Sequence, residues 1–307
     1  MRKLFLIFLI GFRLPIFLGA SFLPNEVSGL KSKILSSGFV SELSEISGAL
    51  YNPAGVLKGE KIAFEISYQS MYNSWFGLKD ISIDGVYSYG LGAKFRIDNN
   101  DFGILVNSIE NNFDEYSDIG EFAKKNSIIK RETDIFFSRE ILKELDVGIS
   151  LVFSQFKLID KKFYSLSSDL GFKYLLRKDC GIGLSFKNLY STGMKFEEGE
   201  ENLNLVVTGG LFAEVYRNLN FYIGGREEVG GTLKFSLGGI YKISIFEIMA
   251  GYESGNFNGL KSDLNNGNLR AGLSLRIKKI KLGYGLTISE LGESNIISIL
   301  IYGGDKK

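Results

Sequence analysis

The run NLRAGLSLRI, residues 268–277, and its neighbour IKLGYGLTI, residues 280–288, decide the class of fold. In the first, Leu269, Ala271, Leu273, Leu275 and Ile277 alternate with Asn268, Arg270, Gly272, Ser274 and Arg276. In the second, Ile280, Leu282, Tyr284, Leu286 and Ile288 alternate with Lys281, Gly283, Gly285 and Thr287. Side chains on a strand point to opposite faces in turn, so a period of two gives one apolar face and one of small, polar and charged residues. The same division appears in CGIGLSFK (residues 180–187) and LDVGISLVF (residues 145–153).

Working outward from these runs, about fourteen such units can be counted, at roughly 17 residues per strand plus connection, which suits membrane strands of about 9–11 residues. They begin near Lys61, Ile81, Phe102, Thr133, Leu145, Phe163, Gly181, Leu203, Phe221, Thr232, Phe246, Asn268, Ile280 and Asn295. Short connections are expected at residues 98–101, 140–144, 177–180, 217–220, 241–244 and 278–280, and longer ones at 111–130, 190–201 and 254–266. Alternating short and long connections are the pattern of an up-and-down barrel, with turns at the periplasmic rim and loops at the other. The expected fold is therefore all-β: a transmembrane up-and-down antiparallel β-barrel of about 14 strands, with a short N-terminal helical hatch. A secreted soluble β-domain is the alternative, since a sandwich also has one apolar and one polar face per strand. The number of strands in one domain and the scarcity of charge in the apolar phase favour the membrane.

Composition removes several function classes. Lys plus Arg number 36 against 35 Asp plus Glu, which provides no general field for nucleic acid. Histidine is absent, so Ser-His-Asp and Cys-His nucleophiles and His-ligated metal sites cannot be built. Cys180 is the one cysteine and can form no intramolecular disulfide. No catalytic residue, metal or cofactor is expected, and the chain reads as a non-enzyme.

Residues 1–21 have the layout of a secretory signal peptide: Arg2 and Lys3, an apolar run from Leu4 to Ile10, then Gly19, Ala20 and Ser21. Cleavage is expected after Ala20 or Ser21. Residues 22–60 form the hatch segment, 61–304 the barrel and 305–307 a tail. Phe39, Leu43, Ile46 and Leu50 fall at helical spacing, with Ser41 and Ser44 offering N-cap oxygens, so a short helix is expected there. It runs into Asn52, Pro53, Ala54 and Gly55, where proline restricts the residue before it and glycine permits a turn. This tetrapeptide is the expected hatch motif; an ordinary loop capping the first strand is the alternative. The polar phase supplies the lumen-facing candidates Lys94, Arg96, Asp146, Asp169, Lys173, Lys187, Arg270 and Arg276. Lumen glycines such as Gly148, Gly171 and Gly183 either leave room inside the barrel or relieve strand crowding.

The stretch SEISGALYNPAGV, residues 44–56, resembles the N-terminal signature of the FadL-like outer-membrane proteins, including the PorV/PorQ group. SSDLGFKYLLRKDCGIGLSFKNLYSTG, residues 167–193, is similar to a hairpin common in PorV-like sequences. The resemblance implies a fourteen-stranded barrel with its N-terminal segment folded inside. On the FadL side it implies passage of hydrophobic molecules such as fatty acids or aromatic hydrocarbons; on the PorV side, an outer-membrane component of a type IX-like secretion system. The short hatch and loops favour the PorV/PorQ side. Expected partners are outer-membrane lipid and either hydrophobic small molecules or secreted proteins, with no nucleic acid, and the expected location is the bacterial outer membrane. A structural or adhesive surface barrel without transport is the alternative function. The chain ends ILIYGGDKK, with Tyr302 followed by five residues, where outer-membrane barrels usually end on an aromatic.

Overall fold

The computed structural model describes residues 30–41, 45–54, 56, 60–71, 83–116, 122–196, 199–201, 203–229, 233–254, 257–258, 261–262, 267–289 and 292–303. The signal-peptide segment, Ser44, Gly55 and the tail lie outside the described residues.

Fourteen strands form the wall: β1 (Ile62–Met71), β2 (Ile83–Ile97), β3 (Asn100–Tyr116), β4 (Phe122–Leu142), β5 (Leu145–Leu158), β6 (Lys161–Arg177), β7 (Cys180–Ser191), β8 (Val206–Tyr216), β9 (Leu219–Glu228), β10 (Leu233–Ile243), β11 (Phe246–Glu253), β12 (Asn268–Ile277), β13 (Ile280–Ser289) and β14 (Gly292–Gly303). Each pairs antiparallel with its sequence neighbours, and β1 pairs with β14 from Ile62↔Gly303 to Met71↔Ser294, which closes the barrel. A small hairpin, Met194–Phe196 with Gly199–Glu201, follows β7.

Six two-residue turns, joining β2–β3, β4–β5, β6–β7, β8–β9, β10–β11 and β12–β13, lie at the rim that also carries the start of β1 and the end of β14, and a further one, residues 159–160, joins β5 to β6 at the opposite rim. Asp98, Ser244 and Lys278 open such turns, and Asn218 closes one, with positive φ, as tight hairpins require. All six fall where the sequence places short connections. The expected long connection at residues 111–130 is largely replaced by wall: β3 and β4 continue their ladder to Tyr116↔Phe122.

Burial is inverted relative to a soluble protein. On β1, Phe64 is 52% exposed and Glu65 3%; on β4, Ile135 is 57% exposed and Asp134 0%. Apolar side chains face out around the whole wall, and polar ones face the bore. Water gives an apolar outer surface of this extent no compensation, whereas lipid does, and a closed barrel leaves no backbone edge unpaired. Two aromatic clusters bracket the apolar band. Phe95, Phe102 and Phe137 stack near the short turns, with centroids 5.3 and 5.0 Å apart. Tyr68, Tyr87 and Tyr89 on β1–β2, and Phe153 with Tyr164 on β5–β6, lie toward the other rim. Among the described residues no helix is long and apolar enough to cross a membrane.

The hatch fills the bore, meeting the wall from Gly148 and Gly183, near the short turns, to Ser236 and Glu253, near the opposite ends of β10 and β11. Among the described residues its regular elements are one helix, α1 (Leu30–Leu35), and two 3₁₀ segments, Ser36–Ser41 and Ile46–Leu50. The helix expected across residues 39–50 is therefore replaced by separate 3₁₀ turns, and the α-helix lies upstream. Ser41 does not cap a helix; its Oγ donates to the Gly38 carbonyl at 2.9 Å. Leu30, Ile34, Leu35, Phe39, Ile46 and Leu50 pack against Leu105, Phe136, Phe212, Tyr222, Ile240, Met249 and Leu300 of the wall. A segment enclosed on every side has no wet face to select a helical stripe, so side-chain spacing alone misplaces its turns.

Candidate functional site: the docked hatch and the interrupted wall above it

A hatch with so little regular structure has many backbone groups without local partners, and buried backbone groups need partners. The wall supplies them. Glu65 of β1 accepts from both the Ser47 N–H (2.9 Å) and its hydroxyl (2.7 Å). Ser236 of β10 accepts from the Gly38 N–H at 2.8 Å and lies 2.7 Å from the Ser37 hydroxyl. Arg270 of β12 donates to the Lys33 carbonyl at 2.7 Å and pairs with Glu253 of β11 at 2.8 Å, and Glu253 also accepts from the Ser36 hydroxyl. Lys94 of β2 donates to the Val56 carbonyl at 2.8 Å while paired with Asp101 at 2.8 Å. Lys281 of β13 reaches Glu247 at 2.7 Å and hatch residue Glu45 at 3.7 Å; Lys31 reaches Glu247 at 3.2 Å and donates its backbone N–H to Glu45 at 2.9 Å.

The hatch motif sits against β5 and β6. The Asn52 side-chain amide donates to the Val40 carbonyl in the hatch and to the Phe172 carbonyl in β6, both at 2.9 Å. Its Oδ1 accepts from the Ala54 N–H at 3.0 Å, turning the chain around Pro53. Two wall glycines make this approach possible: a Cβ at Gly148 would strike the Pro53 carbonyl, and one at Gly171 would strike the Asn52 amide. The hatch backbone presses in the same way on Gly183, Gly224 and Gly251.

Directly beyond this contact the wall ladder breaks. The β6–β7 register passes from Leu170↔Phe186 to Ser168↔Tyr190, so Lys187, Asn188 and Leu189 stand opposite Asp169 alone. Asn188 takes positive φ (55°) and donates its N–H to the Asp169 carboxylate at 2.8 Å, in place of a ladder bond. Its amide donates to the Asn204 carbonyl at 2.9 Å. On the other side of β7, the ladder with β8 ends at Lys187↔Val206, the same level. Buried polar groups line the bore around the break: Asp134 of β4 has both carboxylate oxygens, Ser150 of β5 and Ser185 of β7 their hydroxyls, without a hydrogen-bond partner among the described residues.

Of the lumen candidates, Lys94 and Arg270 hold the hatch and Asp169 holds the bulge. Asp146 and Lys173, both buried, are register partners across β5–β6. Lys187 is half-buried at the break. Arg96 and Arg276 sit at the short-turn rim: Arg96 Nε donates to the Asp98 carbonyl at 3.1 Å, and Arg276 pairs with Glu60 at 3.3 Å and lies over the Tyr302 ring at 4.5 Å. Tyr302 points into the bore. The sequence reading missed Glu65, Ser236, Glu247, Glu253, Lys281 and Asn188. Except for Asn188, at the break, each occupies the polar phase of its strand, and that phase is the signal that marks them. Among the described residues no group of three or more Cys, Asp or Glu side chains is placed to hold a metal ion.

A closed fourteen-stranded barrel with an apolar exterior and its N-terminal segment docked in the bore defines a hatch-bearing membrane barrel. Among solved structures this is the FadL-type fold. The Pseudomonas putida toluene transporter TodX is 10% identical with a TM-score of 0.63, over 92% of this chain and 99% of that one. The Ralstonia pickettii toluene transporter TbuX is 10% identical with a TM-score of 0.62, over 92% and 100%. A Pseudomonas aeruginosa FadL homologue is 10% identical with a TM-score of 0.60, over 92% and 99%. Similarity at this identity is one of fold. No protein-family model and no curated protein matches the sequence.

Proposed function

We propose that the chain is a non-enzymatic channel of the bacterial outer membrane that passes hydrophobic small molecules, and that they leave the bore sideways through the wall where a bulge interrupts the β6–β7 ladder and the β7–β8 ladder ends. The observation that carries this reading is the break at Asp169 and Asn188, immediately beyond the docked Asn52 and Pro53. An axial path meets the hatch; a lateral one meets the bulge, where Asn188 and Leu189 have no register partner on either neighbouring strand, and then lipid. The fold it shares with two toluene transporters supports a hydrophobic solute.

The break can be closed by arithmetic. Removing two residues, 188 and 189, brings Tyr190 into register with Ser168 on the same offset as Leu170↔Phe186. In proteoliposomes loaded with toluene-class hydrocarbons, this deletion is expected to cut flux by about tenfold or more while heat-modifiable gel migration persists. Unchanged flux through a folded deletion variant would sink the lateral route; unchanged flux after removal of the hatch as well would sink gating by the hatch. The resemblance of residues 167–193 to PorV-like hairpins supports a second reading, a component of a type IX-like secretion system. That reading expects normal hydrocarbon flux and loss of secreted cargo from the cell surface in a deletion strain.

A further inference from the structure

We infer that the outer surface of β4–β6, just beyond the apolar band, is a binding site for the phosphorylated headgroup of a membrane lipid. The orientation used here rests on the outer-membrane reading above, which places the rim opposite the chain ends outside the cell. The site is a groove of about 190 Å³ lined by Ile129, Arg131, Gln155, Lys157 and Lys162.

These residues belong to the outward phase of the wall, in line with Ile135, Leu151, Phe153 and Tyr164, which are all exposed apolar side chains. The groove begins where that apolar surface ends. Phe153 stacks on Tyr164, with ring centroids 5.8 Å apart, and the next outward residue on β5 is Gln155, which donates to the Tyr164 hydroxyl at 3.4 Å. Gln155 is the register partner of Arg131 on β4 and of Tyr164 on β6; one step further, Lys157 is the partner of Ile129 and of Lys162. On β4, Arg139 lies eight residues from Arg131 toward the short turns and is also exposed. Eight residues make roughly 27 Å of strand, or roughly 20 Å of height at a tilt of about 40°. The two arginines thus flank the exposed apolar stretch of β4 around Ile135, and the groove falls at the edge of the apolar band.

Two lysines directly opposite on neighbouring strands repel each other, and an arginine on the adjoining row adds a third positive charge. Glu110 pairs with Arg131 at 3.8 Å and offsets one of the three charges; Glu132 turns inward to Lys130 at 3.0 Å, and Lys157 donates to the Ser127 hydroxyl at 3.5 Å, so the two lysines keep the groove cationic. A phosphate in the groove accepts from all three cations at once, and the acyl chains beneath it cover Phe153, Leu166 and Ile135. Free phosphate has no share in that second contact. The arrangement therefore selects an anionic lipid over a soluble anion.

The test uses the full-length barrel in dodecylmaltoside micelles, titrated with a bis-phosphorylated glycolipid, with phosphatidylcholine or with inorganic phosphate, and compared with the R131Q/K157Q/K162Q variant. The glycolipid is expected to raise the melting temperature of the wild type, phosphatidylcholine and inorganic phosphate are not, and the variant should bind the glycolipid about tenfold or more weakly. Without glycolipid the variant should melt no lower than the wild type, because the Lys157–Lys162 repulsion is gone. Equal glycolipid affinity in the two proteins overturns the inference, as does equal protection by inorganic phosphate, which would mark a simple anion site. Hydrocarbon flux through the variant should be unchanged. Lost glycolipid binding with flux intact therefore separates this site from the channel, whereas absence of flux in the wild type counts against the channel alone.

Discussion

The side-chain amide of Asn52 joins three segments, the 3₁₀ turn at Val40, strand β6 at Phe172 and its own chain at Ala54. Replacing it by alanine removes three hydrogen bonds at once, at about 0.5–1.5 kcal/mol each. Asn52→Ala is expected to undock the hatch motif and lower the melting temperature while the barrel still migrates as folded on unheated gels. Gly171→Ala puts a methyl group into the same amide and should have the same direction of effect, with loss of about 1–3 kcal/mol from overpacking. The sequence makes Pro53 legible as a corner before the first ladder, because proline and the residue before it have restricted backbones. It does not show where the Asn52 amide points, since Phe172 is 120 residues away and only closure of the barrel brings them together. Asp169 and Asn188 are a parallel case. Both lie in a hairpin whose pattern looks regular, and the extra residues in β7 become visible only when the strands are laid in register.

At the scale of elements, two expectations fail for opposite reasons. Residues 111–130 look like a loop because their apolar phase fades, yet the β3–β4 ladder continues along 111–116 and 122–130. Past the lipid boundary both faces of a strand can be wet, so alternation is no longer demanded even though pairing continues. In the hatch, every side is buried, so apolar spacing suggests one continuous helix where the chain forms a helix and two 3₁₀ turns whose backbone groups are taken up by the wall. This docking can be locked. Ser37 and Ser236 have hydroxyls 2.7 Å apart, so cysteines at both positions, with the native thiol removed by Cys180→Ser, should form a disulfide between hatch and β10. If the hatch shifts as a body during passage, oxidation will suppress flux and reduction restore it. If solutes use only the break near Asp169, the locked protein will conduct as before, and flux under the two redox conditions distinguishes these outcomes.

For the whole molecule, the inverted distribution of polar and apolar residues predicts where charge is tolerated. Ile135→Arg places a cation in the exposed apolar band of β4 and should cost about 2–4 kcal/mol of folding free energy in a bilayer, measured by denaturant titration in liposomes. This level of organisation was the most legible. Strand count, the six tight turns and the outward phase follow from alternation and turn chemistry, which are local. The partners of Glu65, Arg270 and Lys281 were not legible, because a charged residue in the polar phase can meet water, another strand or a plug, and the sequence marks only the phase.

The seam between β1 and β14 has a bearing on how the molecule is made. The first and last wall strands are hydrogen-bonded to each other along ten pairs, so the enclosure does not exist until the final strand arrives. The hatch precedes β1, is bound to it through Ser47 and Glu65, and is held on the far side by β10–β13. Sealing the wall and trapping the hatch are thus a single late event in biogenesis, and an assembly intermediate with an open seam would expose both the unpaired edge of β1 and the undocked hatch to the same folding machinery.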